Sequence, residues 1–171
     1  TDREHYFQNL PPKNDSTEPF YSRRGGNSHG YYEDIPYEEF DFYGYNLKRK
    51  YGANWRQAAT DVIHKRIRYW GLNTIGNWSD PNIYLSGNTP YVFALHTETY
   101  PIQASERMWG KKFPDPFHES FREKLNEDLE RYEDIVGNDP YCLGLFVDNE
   151  LNWGDEVFLA TSTMKSPADQ P

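Results

Sequence analysis

Apolar positions along this chain follow two rhythms. Between Asn54 and Trp70 they recur at Ala59, Val62, Ile63, Ile67 and Trp70, the three-and-four spacing of one helical stripe, and Gly71 follows as a C-terminal stop. Leu72 to Trp78 is a short β-prone run, and Tyr91-Val92-Phe93-Ala94-Leu95-His96 is another; both have the length of buried strands. The stretch Ser79 to Pro90 between them is too short for a full crossover helix and predicts a truncated one. Asp115-Pro116, a capping residue followed by proline, predicts the start of a second long helix. Its apolar face is Phe117, Phe121, Leu125, Leu129, Tyr132, Ile135 and Val136, and Gly137 closes it. A further strand, Tyr141 to Val147, ends abruptly in Asp148-Asn149-Glu150.

Apolar strands alternating with amphipathic helices predict an α/β fold with a parallel sheet and helices packed outside it. The expected organisation has three parts: a long loop over 1–36, a folded region over 37–159 and a polar C-terminal tail over 160–171. The loop is built from Gly, Pro, Asn, Ser and charge, including the run Arg23-Arg24-Gly25-Gly26-Asn27-Ser28, with neither periodicity.

Charge narrows the partners. With 18 basic and 27 acidic residues the chain carries a formal charge of -9, which repels a phosphate backbone, so nucleic acid is not expected as a partner. No stretch approaches the roughly 20 apolar residues that span a bilayer, so no membrane partner is expected either. The first residues lack a basic-then-apolar signal pattern. The single cysteine, Cys142, has no internal disulfide partner and is expected to pack as a small apolar residue. Aromatic residues make up 17% of the chain, and rings with a polar handle suit the walls of a sugar-binding cleft as well as a core.

In parallel α/β folds the chemistry sits at the carboxyl ends of the strands, where loops open onto a shared crevice. Three strand ends here carry suitable groups: Asn77-Trp78-Ser79-Asp80, His96-Thr97-Glu98, and Asp148-Asn149-Glu150 followed by Trp153. Their convergence would make a carboxylate-rich, aromatic-walled cleft. Each group also has a plainer reading. Asp80 and Glu98 are equally suited to capping a helix or pairing with an arginine, His96 to a buried hydrogen bond, and Trp78 and Trp153 to the core. No metal site is expected, because the five histidines are scattered without ligand spacing. The acidic run from Asp148 does not fit a calcium loop either, since Leu159 stands where a bidentate glutamate is required. No cofactor is called for.

The segment Gly144-Leu145-Phe146-Val147-Asp148-Asn149-Glu150 resembles the fourth-strand signature of the clan A glycoside hydrolases, in which an Asn-Glu pair ends the strand. Trp70 to Asp80, and Asp139-Pro140-Tyr141 leading into the last strand, are similar to the agarase and β-galactosidase-like families of that clan. The resemblance runs from about Phe40 to Asp155. It implies a partial (β/α)8 TIM barrel, holding strands two to four with their helices, in which 37–159 is catalytic domain. It implies a retaining glycosidase acting on galactose-containing oligo- or polysaccharide such as agarose. Glu150 would be the general acid/base, protonating the leaving glycosidic oxygen and then activating water, which requires a carboxyl pKa raised by burial or a neighbouring carboxylate. Asn149 would hydrogen-bond a sugar hydroxyl beside the cleaved bond. Asn77, Trp78, Asp80, His96, Glu98 and Trp153 would contact substrate.

A retaining enzyme also needs a second carboxylate about 5 to 5.5 Å from the first, and in this clan it comes from the seventh strand. A complete barrel takes about 250 residues. The chain is therefore expected to be a piece of the barrel, inactive alone, with the remainder of the barrel or a partner chain supplying the nucleophile. An enzyme for a polymer that cannot enter a cell is expected to be secreted or periplasmic. Two alternatives stand beside this reading: a β-galactosidase, and a noncatalytic half-barrel that binds sugar or a partner without cleaving.

Overall fold

The computed structural model describes residues 4–22, 38–96, 99–108 and 111–168. The Arg23–Ser28 run of the expected loop lies outside them. The chain divides into two compact units, Thr1–Lys65 and Arg66–Pro171.

In the first unit the stretch expected as loop carries more order than its composition implies. Glu18–Phe20 forms a 3₁₀ turn. It leads into β1 (Tyr21–Ser22), which pairs antiparallel with β2 (Glu39–Phe40). Asp41 then caps α1 (Phe42–Tyr51), its carboxylate accepting the Gly44 amide at 2.8 Å. Aromatic rings hold these short elements together: Phe20 is buried, with Tyr45 edge-on at 5.5 Å and Trp55 at 6.1 Å. Such pairs add to area burial and compensate for strands of only two residues.

The helix α2 (Trp55–Tyr69) forms where the stripe predicts it. Gly71 stops it at φ 74, with its amide bonded to Arg68 O and the Leu72 amide to Ile67 O. That pair of bonds satisfies the last carbonyls of the helix, and only glycine adopts the left-handed closing position without a Cβ penalty.

In the second unit β3 (Tyr91–Leu95) and β4 (Cys142–Val147) form a parallel pair. The register slips by one residue after Tyr91 paired with Cys142, leaving Leu143 as a bulge. The run Leu72–Trp78, expected as a full strand, contributes a single parallel bridge, Ile75 to Tyr91. Its extended stretch is cut short by Gly71 at one end and at the other by the turn at Asn77-Trp78, where Trp78 has φ 60. The spatial order Ile75, β3, β4 follows chain order, and both pairings are parallel. Barrel closure is not visible among the described residues; what stands is a mixed α/β unit with one parallel strand pair.

The truncated crossover is present as α3 (Pro81–Tyr84). The second long helix, α4 (Glu119–Tyr132), begins later than expected. Asp115 does not cap it: its own amide is bonded to Tyr100 O and its carboxylate to the Phe117 amide, which fixes Asp115-Pro116 in a turn. His118 is the cap, its Nδ1 accepting the Ser120 amide. Phe117, placed on the apolar face by its spacing, is accordingly outside the helix and exposed. A one-turn π-helix, Glu133–Gly137, completes α4. α5 (Phe158–Lys165) runs into the stretch expected as a polar tail, and Ser166 Oγ just beyond it accepts the Ala104 amide at 3.1 Å.

The core of this unit is Ile75, Tyr91 and Val136, with Ile67, Phe93, Tyr132 and Cys142 packed against it. Tyr91 is fully buried, and its hydroxyl donates to Asp139 Oδ2 at 2.8 Å. Asp139 Oδ1 accepts the Tyr141 amide, so one carboxylate joins the start of β3 to the turn that launches β4. By contrast Leu143, Leu145, Phe146 and Val147 are exposed, an apolar strand with little over it. Among the described residues no helix is long and apolar enough to cross a membrane.

Candidate functional site at the ends of the parallel strands

A cleft of about 250 Å³ opens at the carboxyl ends of β3 and β4. His96 and Thr99 reach it from the β3 end, and Asp148, Asn149 and Glu150 from the β4 end. The pairing holds to the last possible residue, with the Asp148 amide donating to Leu95 O at 2.7 Å. There the strand breaks. Asp148 has φ 60 and Glu150 φ 49, both in the left-handed region that costs a residue with a Cβ roughly 1–2 kcal/mol. Strand alternation would send neighbouring side chains to opposite faces. Two left-handed residues undo that alternation, and both Asn149 and Glu150 line the cleft. Strained non-glycine backbone of this kind persists where the surroundings over-determine it, which is common at functional sites.

The other sequence-predicted residues are less concentrated. Glu98 lies outside the described residues. Asn77, Trp78 and Asp80 are not among the described residues that line the cleft, so the expected convergence of three strand ends is realised for two. Asp80 caps α3, its Oδ1 accepting the Asn82 amide at 2.9 Å. Trp78 is 76% exposed. Asn77 is half-buried, and its Oδ1 is out of contact with solvent with no hydrogen-bond partner among the described residues. Such an acceptor is uncommon, because an unmade hydrogen bond in a buried place costs about 1–3 kcal/mol. Trp153 sets its ring edge-on to Phe113 at 4.9 Å and remains 62% exposed. Glu150 is exposed.

Sequence reasoning missed one wall. Between β3 and α4 the chain makes a ribbon, with Ile102 N bonded to Phe113 O and Asp115 N to Tyr100 O. Buried Ser105 fastens it, donating to Ile102 O and accepting the Phe113 amide. At its far end Met108 and Lys111 exchange both backbone bonds, at 2.8 and 3.0 Å. This ribbon brings Arg107, Lys111 and Lys112 to the cleft. The Lys112 ammonium donates to the Gln103 carbonyl. Thr99 Oγ1 is the second buried oxygen without a partner among the described residues, and it too belongs to the cleft. The available signal was three cations within six residues of a strongly acidic chain. Among the described residues no group of His, Cys, Asp and Glu is placed to hold a metal ion.

No family model matches the chain. Two proteins of Vibrio sp. (strain JT0107) are similar to it. Beta-agarase B is 35% identical over 127 residues, 69% of this chain and 13% of the relative. Beta-agarase A is 35% identical over 122 residues, 67% of this chain and 12% of the relative. Among solved structures, that of PfGH50B superposes with a TM-score of 0.78 at 29% identity, over 95% of this chain and 24% of the other. An exo-beta-agarase follows at 0.72 and 26%, over 88% and 20%. The agarase AgWH50C gives 0.70 and 28%, over 87% and 22%. The chain is thus related to the β-agarases, and it spans about an eighth of the length of the curated relatives it matches.

Proposed function

We propose that this chain is part of a retaining glycoside hydrolase for galactose-containing polysaccharide, agarose in the first instance, with Glu150 as general acid/base. One observation carries the reading: Glu150 lies three residues beyond the end of a parallel strand, in a strained left-handed conformation, within a cleft, in a chain related to β-agarases. Strand order supports a partial (β/α)8 barrel holding its second to fourth strands. Asn149, which lines the cleft beside Glu150, would bond the hydroxyl next to the cleaved linkage. Asn77 Oδ1, without a partner among the described residues, is an acceptor that a sugar hydroxyl would satisfy. Exposed Trp78 and Trp153 offer ring faces to a pyranose, and His96 a polar contact at the cleft.

Glycoside hydrolysis by retention takes two carboxylates about 5 to 5.5 Å apart. The second carboxylate among the described cleft residues is Asp148, whose amide is held in the strand pairing. The nucleophile is therefore assigned to the remainder of the barrel, and the isolated chain to an inactive state. A polymer too large to enter a cell places the whole enzyme outside the cytoplasm.

The test is hydrolysis of agarose and of a chromogenic β-galactoside by this chain and by a version extended through the rest of the barrel, each with Glu150→Gln. Activity that appears on extension and vanishes in the variant is the expected result, and the preferred substrate separates agarase from β-galactosidase. Sugar binding without hydrolysis in the extended protein would replace this reading with a noncatalytic binding module.

A further inference from the structure

We infer that Thr99 is a further substrate-binding residue of the cleft, and that its hydroxyl selects for one sugar hydroxyl by hydrogen bonding it. The inference rests on the carbohydrate reading above and deepens it, because it names a determinant of specificity at the same site. Thr99 lines the cleft together with His96, Asn149 and Glu150. Its Oγ1 is out of contact with solvent and has no hydrogen-bond partner among the described residues. A threonine hydroxyl can donate one bond and accept two, and burying it with none of them made lowers stability. The hydroxyls around it are treated differently. Ser105 Oγ makes two bonds, to Ile102 O and from the Phe113 amide, and Ser120 Oγ accepts the Tyr100 amide.

The side chain is idle, but the backbone that carries it is not. Next to Thr99, Tyr100 donates its amide to Ser120 Oγ at 3.2 Å and accepts the Asp115 amide at 3.0 Å. Ser120 Oγ in turn stands 2.8 Å from His118 Nδ1, and the Tyr100 ring stacks on the His118 ring with centroids 4.4 Å apart. Both backbone groups of Tyr100 are thus tied to the approach to α4, so Thr99 meets a ligand from a fixed position and less ordering is left to binding.

A threonine side chain moves among staggered wells at χ1. Turning Oγ1 of Thr99 toward the cleft breaks no hydrogen bond among the described residues, and a sugar hydroxyl met there supplies the bond that folding leaves unmade. A site that hydrogen-bonds a ligand hydroxyl discriminates strongly against the analogue lacking it, because the protein group is then left buried and unpaired. Thr99 therefore selects which unit of a galactan faces Glu150.

The experiment measures affinity for an agarose-derived oligosaccharide, and for the same sugar with one hydroxyl at a time replaced by hydrogen. It uses this chain and the version extended through the rest of the barrel, each as parent, Thr99→Val and Thr99→Ser, with urea unfolding alongside. Valine keeps the branched shape and removes the hydroxyl. Thr99→Val should bind the full sugar about tenfold more weakly while its urea midpoint holds or rises, and Thr99→Ser should recover most of the affinity. One deoxy sugar should bind the parent about tenfold more weakly than the full sugar and bind Thr99→Val no worse than the full sugar does, the signature of direct contact between the two hydroxyls. Thr99→Ala carries the same comparison if the valine variant does not fold. A lower urea midpoint with affinity unchanged would assign the hydroxyl to the fold and overturn the inference. So would deoxy sugars that lose affinity equally for parent and variant, and in both cases the glycosidase reading stands. Failure of the parent to bind the full sugar, in this chain and in the extended protein, overturns both.

Discussion

The amide of Asp148 donates to the carbonyl of Leu95 at 2.7 Å, so the sheet's last rung and the first residue of the turn that carries Glu150 are the same residue. Everything after it is aimed by that rung. Proline at 148 would remove the donor and force φ to about -65°, against the observed 60. Asp148→Pro should therefore lower stability by about 3 kcal/mol or more. Asp148→Gly, which keeps both the amide and the left-handed backbone, should stay within about 1 kcal/mol of the parent. Urea unfolding of the two variants decides it, and equal losses would mean that the rung does not aim the turn.

Trp78 sets stability against binding. A bulky residue at φ 60 is strained, and Trp78 is 76% exposed, so packing does not account for its position. Trp78→Gly should raise stability by up to about 1 kcal/mol in thermal or urea unfolding. If the ring is a sugar platform, the same change should weaken oligosaccharide affinity about tenfold, in line with an aromatic contact of about 1–1.5 kcal/mol. A variant that is more stable and binds unchanged would remove Trp78 from the site.

Tyr91 supplies a pH dependence. Burial, and then its hydrogen bond to Asp139, raise the phenol's pKa above the ordinary value of about 10. A raised folded-state pKa contributes stability that is fully present below the unfolded value and is lost as pH climbs through the folded one. Stability should accordingly decline above about pH 10 as the unfolded state gives up the proton first. Tyr91→Phe should cost about 1–3 kcal/mol at neutral pH, because Asp139 loses a donor, and should flatten the alkaline decline. Urea midpoints at pH 7 and pH 10.5 for both proteins check the sign.

What could be read in advance followed the range of the interactions. The α2 stripe and its glycine stop are local, and they appear as spacing predicts. The end of β4 at Val147 was equally plain, since apolar residues give way to Asp148-Asn149-Glu150 in one step. Asp115-Pro116 misled because its capping signal is local while its partner, Tyr100, belongs to a ribbon that no periodicity announces. Leu72–Trp78 has strand composition, but strand length was decided by the backbone at Gly71 and Trp78. The cation wall lay hidden for the same reason: Arg107 and Lys111 look like solvated surface until the Ser105 ribbon folds them against the β4 end.

The bare face of β4 makes a further prediction. Leu143, Leu145, Phe146 and Val147 are exposed on a strand that pairs, among the described residues, with β3 alone. Apolar strands left open in this way invite association. The isolated chain should show concentration-dependent oligomers in sedimentation, and Leu143→Lys should shift the distribution toward monomer. Sedimentation as a monomer at every concentration would mean that β4 is covered.

The bond between Tyr91 and Asp139 joins residues 48 positions apart. Loop closure over such a span must be completed before parallel pairing returns any energy, so contacts of this range form slowly. Whatever chain emerges first, the crevice is a late product of folding: its two strand ends acquire a common address only after α4 has been made and laid back against the sheet. Mutations in α4 should thus govern how fast the crevice appears, while mutations at Glu150 should leave that rate unchanged.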